Sequence, residues 1–241
     1  MRNMITKNKM KRPRAILLDF YGTVVEESDV PITRICDRIA EACPGTVDSK
    51  EIGSNWWRIF GDMCFKSHGS SFQPEREVEI ACLQELLLHF GAELDIGEVV
   101  QAFYKYWDEY WVQPAIFPES REVMANCDVP ICLVSNVDNA DLASALKHTE
   151  LSFEMVVTSE DCRAYKPRPE PFEKALSLLG LTYGEALHVG DSFSSDIQGA
   201  KALGIPALWI NRKGRQLPVD HEPPDYVSAD LTGILDILSS F

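Results

Sequence analysis

A short apolar run, rich in branched residues and closed by a small or polar one, occurs four times in this chain, at residues 15–19, 131–135, 153–158 and 186–190. Runs of that length and composition read as strands buried on both faces, the condition met in a parallel sheet. A fifth run, 205–210, follows Gly204, which is placed to end the helix before it. Helical patterns at 139–147, 169–179 and 194–203 lie between the runs. This alternation implies βαβ units and a three-layer α/β sandwich around a parallel sheet.

Residues 26–117 break the pattern. They carry little strand signal, but apolar residues recur at three- and four-residue spacing over 32–42, 54–65, 75–90 and 97–112. The simplest account is a small all-helical domain inserted after the first strand. Its limits fall in 26–31 and 114–118, where proline and acidic residues discourage helix continuation. The division expected is therefore a basic arm at 1–14, a core at 15–25 and 118–241, and a helical insertion at 26–117. The arm holds Arg2, Lys7, Lys9, Lys11, Arg12 and Arg14 and no acid, and the apolar run behind it is too short for a secretion signal. It reads as solvated and partly disordered.

Charge narrows the function. The chain has 37 acidic and 23 basic residues and a net charge of -14, so its field repels phosphate backbones and anionic membrane surfaces. Nucleic acid and membranes are not expected partners. No stretch approaches the ~18 apolar residues of a membrane span. A site that handles anions on such a surface needs a local cation, from a basic pocket or a bound metal. Seven cysteines, odd in number and without a CxxC pair, fit a reducing compartment. The expectation is a cytoplasmic monomer or homodimer.

Ligands of open parallel sheets gather at the carboxyl ends of the strands. Asp19 closes the first run, Ser135 and Asn136 the second, and Gly190 and Asp191 the fourth, while Lys166 follows the third. Chain-distant segments thus deliver two carboxylates, a hydroxyl and an ammonium to one edge. A carboxylate such as Asp19 can attack phosphorus or an electrophilic carbon and form a covalent intermediate that water releases. Gly22 permits a tight turn, and Thr23 offers a hydroxyl and an amide to the transferred group. Ser135 and Lys166 are suited to developing negative charge, and Tyr21, Gly22 and Asn136 are expected to contact the substrate. Asp191, with Asp196 five residues on, suits a hard divalent cation.

The segments DFYGTV, LVSN, YKPRPEPF and HVGDSFSSDIQGA, in that order, resemble the four motifs of the haloacid dehalogenase-like hydrolase superfamily. The resemblance covers the chain from Ala15 onward. It implies a Rossmann-like sheet of order 5-4-1-2-3, a helical cap over the carboxyl edge, and magnesium as cofactor. It further implies Asp19 as nucleophile and metal ligand, a metal bond from the Tyr21 carbonyl, Ser135 and Lys166 on the phosphoryl oxygens, and Asp191 completing the metal site. Asp196 would ligate directly, bind through water or orient Lys166.

One position departs from that pattern. Phosphatases of the superfamily carry a second aspartate two residues after the nucleophile, to protonate the leaving oxygen and then activate water; here it is Tyr21. A phenol titrates near ~10, far from the value a neutral-pH general base needs. Tyrosine there resembles the metal-free 2-haloacid dehalogenases, which place an uncharged residue where this chain has Asp191. The expectation is a magnesium-dependent hydrolase of a small, anionic, phosphorylated metabolite, through an aspartyl-phosphate on Asp19. Two alternatives stand: a 2-haloacid dehalogenase-type hydrolase, and a weakly active or noncatalytic ligand-binding relative.

Plainer readings apply to single residues. Asp19 taken alone is a strand-end cap, Ser135 a turn residue and Asp196 a first-turn helix acid. Arg58 and Trp57 are candidates for touching substrate, since a guanidinium fits a carboxylate or phosphate and an indole supplies a wall. Tyr104, Trp107 and Trp111 carry the spacing of a packed stripe. His188 reads as a buried strand histidine, and the pair Asn211 and Arg212 is within possible reach of the site.

Overall fold

The computed structural model describes residues 11–241. Residues 1–10, most of the basic arm, lie outside the described residues. Arg12 and Arg14 are held against the core, Arg12 on Asp128 and the Leu238 carbonyl and Arg14 on Glu185.

Strand β1, Ala15–Leu18, is buried at every position. It pairs in parallel with β2, Ile131–Ser135, on one side and with β4, Ala186–Gly190, on the other. Beyond β2 lies β3, Met155–Thr158, and beyond β4 lies β5, Ala207–Ile210. The order 5-4-1-2-3 is thus present, but a sixth strand β6, Tyr226–Ser228, extends the edge past β5. Three residues with an exposed Val227 at their centre carry no periodicity that a sequence reading can detect. β3 and β5 begin two residues later than expected, because pairing starts at Met155 and Ala207.

Alternate residues of the sheet face opposite layers, as strand geometry requires. A short helix α7, Ser159–Cys162, precedes α8, Pro169–Leu179, whose Phe172 and Leu176 pack with Leu17, Cys132, Val134 and Trp209. Ile16, Leu18, Leu133 and Val189 face the other way, toward Val123 of α5, Ser120–Asn126, Leu142 of α6, Asn139–Thr149, and Ile234 of α10, Thr232–Ser239.

Between β1 and α5 come α1, Val30–Glu41, α2, Ser49–Lys66, α3, Glu75–Phe90, and α4, Ile96–Tyr110. α2 starts five residues earlier than its apolar spacing predicts, because the Asp48 side chain caps it by accepting from Lys50 N at 2.9 Å. The two segments that join these helices to the core run side by side. Glu26 N donates to Ala115 O at 2.8 Å and Phe117 N to Val24 O at 3.3 Å. At the far end Tyr165 Oη donates to Gln73 O at 2.8 Å, and Arg76 grips Asp141 with two hydrogen bonds. The helices are therefore docked over the sheet edge at both ends.

The helix expected over 194–203 is divided. A π turn, Phe193–Ile197, precedes α9, Gln198–Ala202. The wider turn returns the Asp196 side chain over Gly190, where a Cβ would lie 2.3 Å from Asp196 Cγ. Glycine closes β4 because the acid occupies that space.

Candidate active site

Crossovers leave β1 for β2 on one side and reach β4 on the other, so the sheet's switch point lies between β1 and β4. Asp19 follows β1 directly, its N–H donating to Val189 O at 2.9 Å, and Asp191 follows β4. Both carboxylates emerge at that crevice.

Lys166, 3% exposed, is the hub of the site. Its ammonium donates to Asp19 Oδ1 at 2.7 Å, Asp196 Oδ1 at 2.6 Å and Val134 O at 2.7 Å. Its three protons are all used. Burial opposes the charge, but Asp19 and Asp196 outweigh it and hold Lys166 above its ordinary value. Asn136, expected on substrate, instead holds the Lys166 backbone. Its Nδ2 donates to Lys166 O at 2.9 Å and its Oδ1 accepts from Lys166 N at 2.7 Å. Thr23 donates to Asp19 Oδ2 at 3.0 Å.

Asp196 accepts from Lys166 and from His188 Nε2 at 3.0 Å through Oδ1, and from Ser192 N at 3.0 Å through Oδ2. Burial works to raise it, yet Lys166 and the His188 hydrogen bond prevail and hold it at about 2. Of the three roles open to Asp196, orienting Lys166 is the one its hydrogen bonds serve. His188 is wholly buried in β4, and that burial keeps it below its ordinary value.

Asp19, Asp191 and Asp196 each place a carboxylate oxygen within 4.8 Å of the others. Asp19 is pushed up to about 7, by burial first and then by the charge of Asp196, against the pull of Lys166. Asp191 is pushed up to about 6 by burial and Asp196, against Arg215, whose Nη2 lies 3.0 Å from Asp191 Oδ2. Gly22, at φ +73°, leaves room for this carboxylate, since a Cβ there would lie 2.6 Å from Asp191 Oδ1. Glycine is required twice over at that position.

A cavity of about 640 Å³ opens on these groups, with Ser135, Lys166 and Tyr21 in its wall and Trp57 and Trp111 at its helical side. Tyr21 turns its hydroxyl away from the carboxylates and donates to Trp111 O at 2.9 Å. Burial, with Glu75 and Asp141, raises it well above a phenol's ordinary value. Arg58 stands exposed on α2, bonded to Asn55, and is not part of the cavity wall, whereas its neighbour Trp57 is. Arg212 braces the loop from behind, donating to Thr23 O at 2.8 Å and lying 3.5 Å over the Phe117 ring.

Glu27, Glu75 and Arg215 also line the cavity and were not foreseen from sequence. Glu27, partly buried, is pushed up to about 8 by its burial first and then by Asp191 and Asp19. Its only sequence signal is nearness to the first motif; Arg215 sits in a polar loop with no pattern at all.

The pattern that defines haloacid dehalogenase-like hydrolases matches residues 13–204 of this chain. The protein belongs to that family. Among its relatives, the phosphoglycolate phosphatase of Salmonella typhi is 27% identical over 215 residues, 84% of this chain and 83% of that one. The (S)-2-haloacid dehalogenase of Pseudomonas sp. strain YL is 23% identical over 233 residues, 94% and 95% of the two chains. In fold, the L-2-haloacid dehalogenase RSc1362 superposes with a TM-score of 0.74 at 20% identity, over 95% of this chain and 100% of that one. This haloacid dehalogenase-like hydrolase therefore has both phosphatases and dehalogenases among its relatives. No helix among its described residues is long and apolar enough to cross a membrane.

Proposed function

We propose that this hydrolase cleaves a small phosphate monoester by covalent catalysis on Asp19, assisted by magnesium. The observation that carries the reading is the convergence of Asp19, Asp191 and Asp196, whose ion-pair partners from lysine and arginine among the described residues are Lys166 and Arg215. Acids raised to about 7 and about 6 by burial and mutual repulsion form a donor set that a hard cation suits. Asp19, Asp191 and the Tyr21 carbonyl would hold it; Asp196 is already engaged. Bound there, magnesium would neutralise phosphoryl oxygens and screen the carboxylates from the incoming anion.

The chain's own residues then divide the work. An Asp19 oxygen forms a bond to phosphorus as the ester P–O bond breaks. Ser135 holds a phosphoryl oxygen, Lys166 holds Asp19 and lends its charge to the phosphoryl group, and Thr23 fixes the nucleophile. Tyr21 is unsuited to move the proton, because its hydroxyl is occupied at Trp111 and its pKa is too high. Glu27, raised to about 8 in the wall of the same cavity, takes that role. Its carboxyl protonates the leaving oxygen. Its carboxylate then accepts a proton from water as the water oxygen bonds to phosphorus, the Asp19–P bond breaks, and orthophosphate leaves. The helical insertion 26–117 serves as the cap that excludes bulk water and selects substrate.

Hydrolysis of an aryl phosphate with and without magnesium tests the reading. Magnesium-dependent turnover lost in Asp19→Asn supports it; turnover unaffected by that change overturns it.

A second reading is favoured by Arg215, which neutralises Asp191 with no metal. In that case Asp19 would attack the carbon of a 2-haloalkanoate and displace halide. Halide release from 2-chloropropionate in chelator would favour it.

A further inference from the structure

The cavity continues from the carboxylates into the helical insertion, where Trp57, Phe60, Cys64, Trp111, Tyr165 and Glu75 form its wall. Most of the polar groups there are spoken for. Tyr21 donates to Trp111 O, Tyr165 to Gln73 O, and the Arg76 guanidinium to Asp141. Burial raises the Cys64 thiol and keeps it protonated.

Glu75 is the exception. It opens α3, its backbone N–H donates to Asp138 Oδ1 at 2.7 Å, and it is 5% exposed. Its Oε2 is fully buried and has no hydrogen-bond partner. A buried acceptor without a partner is rare in folded proteins and asks for an explanation. The largest charge effects on it come from Glu79, Asp138, Asp141 and Glu27, all acids. Three basic groups line the cavity: Lys166 is committed to Asp19 and Asp196, Arg215 to Asp191, and Lys213 acts on Glu27. The protein thus presents a hydrogen-bond acceptor in an acidic, aromatic-walled end of its cavity, and among the described residues no cation pairs with it.

We propose that this end of the cavity is a subsite for an ammonium group carried on the substrate at the end away from its phosphate. The substrate class is then the phosphate monoester of a small amine-bearing alcohol or amino sugar. The placement of the phosphate at Asp19 rests on the function proposed above; the ammonium subsite does not. An ammonium fits better than a neutral hydroxyl for two reasons. It brings the positive charge that lets Glu75 ionise among neighbouring acids. It is also attracted to the aromatic rings of the wall, Trp57 and Phe60 among them, far more than a hydroxyl is.

Phosphonates test this without turnover, since their P–C bond is not cleaved. ω-Aminoalkylphosphonates of three to six carbons and alkylphosphonates of matching length are titrated into the magnesium-loaded protein by calorimetry. At one chain length the amine is expected to bind about tenfold or more tightly than its alkyl partner, the gain of a charge-assisted hydrogen bond. In Glu75→Gln the two should come within about twofold, and in Glu75→Asp the favoured chain should lengthen by about one carbon, because the carboxylate is one methylene shorter. No preference for the amine at any length in the unaltered protein overturns the subsite, as does a preference that survives Glu75→Gln. Aryl phosphate hydrolysis, measured separately, reports on the function alone, so either idea can fail without the other.

Discussion

The ammonium of Lys166 donates to the Asp196 carboxylate at 2.6 Å, and both side chains are almost wholly buried. Breaking one side of such a pair leaves a charge short of its partner, which costs about 3–5 kcal/mol in buried pairs generally. Asp196→Asn is expected near the lower end, about 3 kcal/mol by denaturant titration, because Asp19 and Val134 O still hold Lys166. Turnover of an aryl phosphate should fall about 10²-fold as Lys166 loses its aim. A variant as stable and active as the parent would refute a positioning role.

Asp19→Asn separates catalysis from stability. The change removes a carboxyl that burial and Asp196 push to about 7. Turnover should vanish into background, while the melting temperature at pH 8 rises, because the repulsion within the acid trio is relieved. A lower melting temperature would show that Asp19 stabilises the fold.

Tyr21→Phe removes only a hydroxyl that serves Trp111 O. Stability should fall by about 1 kcal/mol, the worth of a buried neutral hydrogen bond. Turnover should stay within about twofold of the parent if the phenol takes no part in proton transfer. A loss of about 10²-fold, the usual scale of acid–base catalysis, would return Tyr21 to that role.

Glu27→Gln should reduce hydrolysis of an alkyl phosphate by about 10²-fold and of p-nitrophenyl phosphate far less, since a good leaving group needs little protonation. The alkaline limb of the alkyl profile, set by a group near about 8, should disappear. Equal losses on both esters would point to a structural effect.

Stability should depend on pH with a definite sign. Asp19, Asp191 and Glu27 have folded values of about 7, 6 and 8, above those of the unfolded chain. Between about pH 4 and 8 the folded state therefore holds protons that the unfolded chain has released, and stability falls as pH rises. Asp196 acts oppositely: held at about 2, its contribution is complete above about pH 4 and is lost as pH falls toward 2. Thermal melts in chelator should peak near about pH 4. Magnesium should raise the melting temperature more at pH 8 than at pH 5, because it needs the ionised acids; an equal rise at both would show that it binds elsewhere.

Strand-end residues were legible in sequence because each closes a run whose composition marks it as buried strand. Asp19, Ser135 and Asp191 stand at such ends and Lys166 in the loop after the third run, and the sheet brings the four together at one crevice. Arg58 misled because its chemistry suits an anion, whereas helix phase, which decides where a side chain points, set it in solvent and its neighbour Trp57 in the wall. Asn136 was placed on the substrate because an amide's type does not reveal that the Lys166 backbone claims both its ends.

What the chain's own order of residues determined is the layered α/β architecture and the four segments that meet at the carboxyl edge, because burial patterns and turn residues are local properties. Which way Tyr21 points, what Asp196 holds, and that Glu27, Glu75 and Arg215 share the cavity follow from long-range packing. Those outcomes depend on distances between residues far apart in the chain, and such distances exist only once the helices have docked over the sheet.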